Sequence, residues 1–566
     1  MASFHPTRRE IVLVSILSTL MLLLVQFDLK TQPSESSLLG FKVGFSGNNG
    51  WDSNSNLRKP ISSDSFDEDD ESNPHAKTSR IAGMSEAKIK WDDEGSSTMT
   101  KVLGHAPGWT IFDQIYLFNG TWYIVTDNPS TVPLLRLMVS TGNEIWNDEE
   151  SIKGREPTEK DMRIIFPSEA KRLWGNSASL VSGSTFLVND PPQFLDHYYH
   201  FAAELLVGLW RTYSSLDLSI NAQGITKLPS PSRMIMPHVQ AGKWNDYAKM
   251  NSFLSRAIFP SMSYEYSNDF LDRTDTSRSF IFERVVFADR AAAFRGPEFG
   301  KTWRTASEAV TLPASKYWWS PIRKNLIEFV GGGGHAELEA GVAGDLGLGI
   351  GLDAEPDVDL IALEEEEGAL VEEKEELLKK LKNEKQAKMG KPVITYVSRQ
   401  DWGRRMLKKE GHESLVKELK ELEKKYNWEV NIVSMDKLSR DEQIRLSART
   451  TVMMGVHGNG LTHLLWMNNQ NPRSTVIEFF YPGGFAEDYE FTCRALGMRH
   501  YGIWDDQAFT APDTPQVAYP EGFQGNEIPL NGKTVADLIV QRLLVEKPEK
   551  SQSQIQRELT ELENLD

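Results

Sequence analysis

The 566-residue chain holds a single cysteine, Cys493. One thiol allows no disulfide within the chain and no cysteine-built zinc site. Preceded by Phe491 and Thr492, it reads as a buried small hydrophobe rather than a nucleophile. Excess positive charge is also lacking: 62 Lys and Arg stand against 80 Asp and Glu, a formal net charge of −18. Non-specific nucleic-acid binding needs a basic face that displaces counterions, so no nucleic-acid partner is expected. No long internal repeat is present, which sets aside solenoids and arrays. Long charge-free apolar runs are scarce, and the one of note, IVLVSILSTLMLLLVQF, lies at Ile11 to Phe27.

That run sits at the short end for a membrane-spanning helix. Arg8 and Arg9 precede it and Asp28 follows it; positive charge stays cytoplasmic, so the remainder of the chain is expected in the lumen. A cleaved signal peptide would look similar, but no small-x-small cleavage site follows. The expectation is a cytoplasmic tail (1–10) and a type II transmembrane anchor (11–27) in a Golgi or endoplasmic reticulum membrane, whose thinner bilayers suit a short span. Residues 28–87, with SSDSFDEDDESNPH, cannot bury enough apolar surface to fold and read as a flexible stem.

Hydrophobic content of 40% and fifteen tryptophans argue for a globular head, and the length suggests two ordered domains. In a first domain (88–330), WTIFDQIYLF and TWYIVT read as strands joined by a turn at Asn119-Gly120. Asn119-Gly120-Thr121 is the usable glycosylation sequon, since Asn128 precedes a proline. Further on, TFLVND, DHYYHFAAELLVGLWRTY, SRMIMP and FERVVFAD alternate strand with helix, which implies βαβ units and a parallel sheet. A glycine-rich, then acidic insertion with a charged helix follows (331–390). The second domain (391–548) repeats the alternation in PVITYVSR, HESLVKELKELEKKY, WEVNIVS, TTVMMGVHG and STVIEFFYP. Residues 549–566 form a polar tail.

The chemistry gathers around VMMGVHGNGLTHLLWM, Val452 to Met467. An apolar strand runs into His457, Gly458, Asn459 and Gly460 and then into a helix start. Glycines permit a tight turn and close backbone approach, and exposed N–H groups at a helix start favour an anion. Eighteen residues past Gly460, Glu478 stands near the end of the next strand, where a carboxylate can accept ribose hydroxyls. Taken singly, the glycines suit a plain strand–helix turn and Glu478 a solvated strand end. SRQDWGRR follows the first strand of this domain, and its Arg399, Arg404 and Arg405 can neutralise a diphosphate; a basic surface loop would look the same. In the first domain, Asp196, His197, His200 and Glu204 lie together. His200 and Glu204 fall one helical turn apart, and a carboxylate so placed raises and orients an imidazole that can take a hydroxyl proton. A zinc reading is weaker because the HExxH arrangement is absent. Asp357 and Asp359 form a DxD-like string inside an acidic stretch and read as solvated charge, so no metal site is expected.

GVHGNGLTHLLWM resembles the G-x-H-G-[AS]-G-L-[TN] segment of glycosyltransferase family 61, which includes plant β-1,2-xylosyltransferases, arabinoxylan-decorating enzymes and endoplasmic reticulum O-GlcNAc transferases. DHYYHFAAELLVGLW, YVSRQDWGRR and VIEFFYP resemble its other blocks, in order. Asn459 stands where that family more often has Ala or Ser. The resemblance implies a GT-B fold, two Rossmann-like α/β domains facing across a cleft. It implies an inverting transferase that moves a sugar, xylose or GlcNAc foremost, from a UDP-sugar to a glycan or glycoprotein hydroxyl, with no essential cofactor. By motif matching, Arg399 with Arg404 or Arg405 would bind the diphosphate, His457, Gly458, Asn459 and Gly460 would line the same site, and Glu478 would meet the ribose. His200 and Glu204, with Asp196 beside them, would serve the acceptor side. Two rivals remain: a membrane-anchored inactive nucleotide- or glycan-binding protein of this fold, and an NAD-dependent oxidoreductase, whose G-x-G-x-x-G order the loop does not match.

Overall fold

The computed structural model describes residues 86–88, 98–331 and 390–544. The expected tail and anchor, the stem up to residue 85, the interior of the insertion, with Asp357 and Asp359, and the polar tail lie outside the described residues. Among the described residues no helix is long and apolar enough to cross a membrane. Strand pairing already begins at Glu86, inside the span assigned to the stem.

The first sheet contains β1 (Glu86–Lys88), β2 (Lys101–Ala106), β3 (Trp109–Phe118), β4 (Thr121–Val125), β5 (Met162–Ile165), β6 (Ser177–Val188), β7 (Arg233–Ile235), β8 (Ser263–Glu265) and β9 (Phe280–Ala288). Their order is β5-β4-β3-β9-β6-β7-β8, with β1 against β6 and β2 against β3. β9, β6, β7 and β8 are parallel, as the strand–helix alternation predicts. β3 is antiparallel to β2, β4 and β9, so the sheet is mixed. The cause is local: Asn119 (φ 49°) and Gly120 (φ 80°) both take positive φ, the two-residue turn that matches strand twist and folds β4 back on β3. Asn119 is exposed there.

The second sheet contains β10 (Val393–Val397), β11 (Glu429–Val433), β12 (Val452–Val456), β13 (Thr475–Phe479), β14 (Arg499–Trp504) and β15 (Gln507–Phe509), in the order β11-β10-β12-β13-β14-β15. All pairs but β14–β15 are parallel. β10, β12 and β13 are buried at every position, which is why they read as unbroken apolar runs. The helices α1 (Val207–Ser214) and α2 (Ser320–Val330) belong to the first half of the chain, and α3 (Lys409–Tyr426), α4 (Arg440–Arg449), α5 (Asp488–Ala495) and α6 (Gly532–Leu544) to the second. Leu415, Leu419 and Leu422 on α3 and Val535, Leu538 and Ile539 on α6 cover one face of the second sheet together with Ile394, Tyr396 and Met454. Ile444 of α4, Leu461, Leu464 and Phe491 cover the opposite face with Met453 and Val476. Alternate strand residues thus enter different cores, the mark of a doubly wound sheet.

That second core does not stop at the sheet. It continues through Trp319, Leu205, Leu209 and Tyr213 to Phe186, Val188 and Val286 of the first sheet. Trp319 stacks on Trp466 at 5.9 Å and its Nε1 donates to the Leu465 carbonyl at 2.8 Å. Cys493 is fully buried within it.

Candidate active site

In the strand order β11-β10-β12-β13-β14 the connections out of β10 and β12 run to opposite sides, so their C-terminal ends leave a crevice between them. Arg399 follows β10 and the loop His457–Gly458 follows β12. The chain then turns into a 3-10 helix, Asn459–Trp466, rather than an α-helix. A Cβ on Gly458 would lie 2.7 Å from Arg399 Nη1, so only glycine lets this guanidinium rest on the loop.

Arg399 and Arg405 are brought together here, and Arg404 is exposed beside them. Burial, then the neighbouring Arg405 and Arg404 charges, pull the Arg399 guanidinium below its ordinary value. Burial acts likewise on Arg405, which donates to the His457 carbonyl at 3.4 Å. The Arg399 Nε is buried without a hydrogen-bond partner. Partly desolvated cations repelling one another at a strand-end crevice are suited to meet an anion.

Glu478 is fully buried near the C-terminal end of β13. Its Oε1 pairs with His457 Nδ1 at 2.6 Å and its Oε2 with His500 Nε2 at 2.8 Å. Burial alone would raise its pKa, and the two histidines overcome that and lower it. A carboxylate whose two oxygens are engaged beneath the sheet end is not presented to the cleft as the ribose contact requires; its visible work is to fix the His457 ring. That ring packs against Phe480 at 5.8 Å and Phe523 at 5.3 Å.

On the opposite wall, residues 200–206 form a π-helical turn, His200–Leu206, that leads into α1. Its wide turn sets His200 and Glu204 side by side, with His200 Nδ1 2.7 Å from Glu204 Oε2. Glu204 is 5% exposed. Arg290 Nη1 stands 3.5 Å and Arg304 Nη1 3.8 Å from its oxygens. Burial pushes the Glu204 carboxyl up, but His200, Arg304 and Arg290 together bring it down to about 2. Asp196 is exposed on the segment ahead of this turn and takes no part in these contacts. The His197 ring lies 5.0 Å from that of His200. No group of His, Cys, Asp and Glu suited to a metal ion occurs among the described residues.

The two walls touch. Asn459 Oδ1 accepts from the Tyr199 backbone N–H at 3.2 Å, Tyr199 donates its hydroxyl to the Asp488 carbonyl at 2.8 Å, and Arg304 Nη2 donates to Asp488 Oδ2 at 3.0 Å. The histidine–carboxylate pair thus stands next to the glycine loop. Sequence reasoning did not find Arg290, Arg304, Asp488 or His500. Arg290 carried a usable signal, since it stands two residues past the end of β9; in the fold its backbone and guanidinium are held by Asp190. Arg304 lies on a connecting segment and Asp488 at the first turn of α5, and neither shows a pattern of its own.

An α/β chain with a basic loop at a sheet switch point and a histidine–carboxylate pair near it has the means for group transfer, and comparisons with known proteins point to glycosyl transfer. Residues 198–477 match the family described as Glycosyltransferase 61. Over 132 residues the chain is 30% identical to the EGF domain-specific O-linked N-acetylglucosamine transferase of Drosophila melanogaster, a stretch covering 23% of this chain and 22% of that protein. Residues 198–477, just under half of the chain, are thus similar to that family, and the aligned stretch spans about a fifth of the curated relative's length. The matched span contains His200, Glu204, all three arginines and the glycine loop; Asp196 and Glu478 fall just outside it.

Proposed function

We propose that the protein is an inverting glycosyltransferase of GT-B architecture that moves a sugar, xylose or GlcNAc, from a UDP-sugar to a hydroxyl of a glycan or glycoprotein. The observation that carries this reading is the juxtaposition of the anion-seeking Arg399–Gly458 crevice with the His200–Glu204 pair through the Tyr199–Asn459 hydrogen bond. Arg399 and Arg405 hold the diphosphate and stabilise the charge that develops on it as the glycosidic bond breaks. His457 stands over the same group with its ring fixed by Glu478. His200 takes the proton of the attacking hydroxyl through Nε2 while Glu204 orients Nδ1 and steadies the imidazolium that forms. No metal is needed, because the arginines supply the positive charge. The Drosophila relative is named for transfer of N-acetylglucosamine to EGF domains, which supports GlcNAc as a donor. The apolar run Ile11 to Phe27 and the arginines before it support a type II anchor in a Golgi or endoplasmic reticulum membrane with the head in the lumen.

The test is thermal melting of the full chain with UDP, GDP, CMP, NAD and UDP-sugars, with and without EDTA. UDP raises the midpoint and EDTA leaves the rise intact. Arg399→Ala abolishes the rise, whereas His200→Ala keeps it and lowers transfer by roughly 100-fold or more, the scale of a lost general base. Stabilisation by NAD instead of UDP, or none by any nucleotide, sinks the reading.

A further inference from the structure

Beside the His200–Glu204 pair lies a cavity of about 430 Å³, within the roughly 300–1,000 Å³ range that encloses a small molecule. Its walls are rings: Phe194, Phe294, Phe299, Trp303 and Tyr519. Trp303 and Tyr519 are 61% and 59% exposed, large aromatic faces left open where solvent penalises them. Its polar side is formed by His200, Glu204, Arg290 and Arg304. Arg290 is 2% exposed, donates through Nε to Asp190 and through Nη1 to the His200 carbonyl, and its Nη2 has no partner. A buried guanidinium donor left unmade costs free energy until something accepts from it.

Charge decides what that is. Arg290 faces Asp190 and Glu204, and Arg304 faces Glu204 and Asp488. Two cations are met by three carboxylates, so the polar side offers hydrogen bonds without net positive charge and gives an acidic ligand nothing to neutralise. A serine or threonine side chain presents too little apolar surface to cover five rings. A pyranose does both: its C–H face lies on an aromatic ring and its hydroxyl rim meets the donors.

We propose that this cavity is the acceptor subsite, that it selects an uncharged saccharide rather than a polypeptide hydroxyl or an acidic sugar, and that Trp303 is the platform on which the ring sits. The inference rests on the transferase reading for the position of His200, but its recognition chemistry is separate from donor binding.

Saturation-transfer NMR on the full chain tests it, using neutral oligosaccharides of mannose, xylose and N-acetylglucosamine, oligogalacturonate, and serine- and threonine-containing peptides, against wild type, Trp303→Ala and Trp303→Phe. Neutral sugars are expected to receive saturation and the acidic sugar and peptides not. Their apparent Kd rises about tenfold in Trp303→Ala, the upper scale of an aromatic contact, and less in Trp303→Phe, with UDP affinity equal in all three. If Trp303→Ala loses UDP affinity through misfolding, Trp303→Phe decides by its own smaller rise. Binding of peptides or oligogalacturonate in place of neutral sugars overturns the proposal, as does neutral-sugar binding indifferent to Trp303. Neutral-sugar binding that depends on Trp303 in a protein without UDP affinity supports the subsite and overturns the transferase mechanism.

Discussion

At the scale of the residue, two buried glutamates carry different duties. Glu478 joins two imidazoles, and its value lies in orientation. Glu204 joins one imidazole to two guanidiniums, and its charge is what the surroundings are built to hold. Its folded pKa, about 2, lies below the ordinary 4.5. For a carboxyl depressed on folding, the contribution to stability is fully present above the unfolded value and is lost as pH falls from about 4.5 towards 2. Glu204→Gln removes that dependence and leaves Arg290 and Arg304 short of a counter-charge. The expected cost at pH 7 is about 3–5 kcal/mol. Urea unfolding of both proteins at pH 7, 5, 4 and 3 should show the difference shrinking below pH 4.5. A constant difference across the series would mean that Glu204 is not held ionised by its neighbours.

At the scale of the element, the loop between β12 and the 3-10 helix Asn459–Trp466 works because one residue has no side chain. Gly458→Ala would push a methyl against Arg399 Nη1, and the guanidinium must leave. Since Arg399 is only partly buried and lies at the cleft, the change should spare the fold, within about 1 kcal/mol, while weakening UDP binding at least tenfold by calorimetry, the loss expected when a charge-assisted contact moves out of reach. Unchanged affinity would show that Arg399 does not touch the donor. The loop was legible in the sequence, as were β10, β12 and β13, because parallel strands buried on both faces leave continuous apolar runs and a strand–glycine–helix junction stands out between them. α3 was legible from Leu415, Leu419 and Leu422 at helical spacing. What was not legible came from long range. Arg304, Asp488 and His500 lie outside the motifs and acquire meaning only when folding sets Arg304 against Glu204 and Asp488, and His500 against Glu478. Glu478 itself shows the limit: its place at the strand end was readable, whereas the two histidines that occupy both of its oxygens were not.

At the scale of the whole molecule, the sequence suggests two domains, and the described structure does have two sheets. One core nevertheless runs from the first sheet to one face of the second, and Trp319 and Trp466 stack at its centre. Domains that only touch across a cleft keep separate cores and can melt apart. Here the helix α2, contributed by the first half, is packed by its own tryptophan flank into the second, and Arg323 on it donates to the carbonyls of Trp466 and Ala448. The expected outcome is therefore a single calorimetric transition for both sheets, with equal midpoints reported by near-ultraviolet and far-ultraviolet dichroism. Trp319→Ala removes a fully buried ring and a 2.8 Å hydrogen bond to Leu465, a loss of about 3–5 kcal/mol. That variant should lower the midpoint of the one transition and keep it single, because the remaining core residues still belong to both halves. Two resolved transitions in the wild type would show that the shared core is too weak to couple them, and the position of His200 relative to the glycine loop would then have to be fixed by bound donor rather than by the fold.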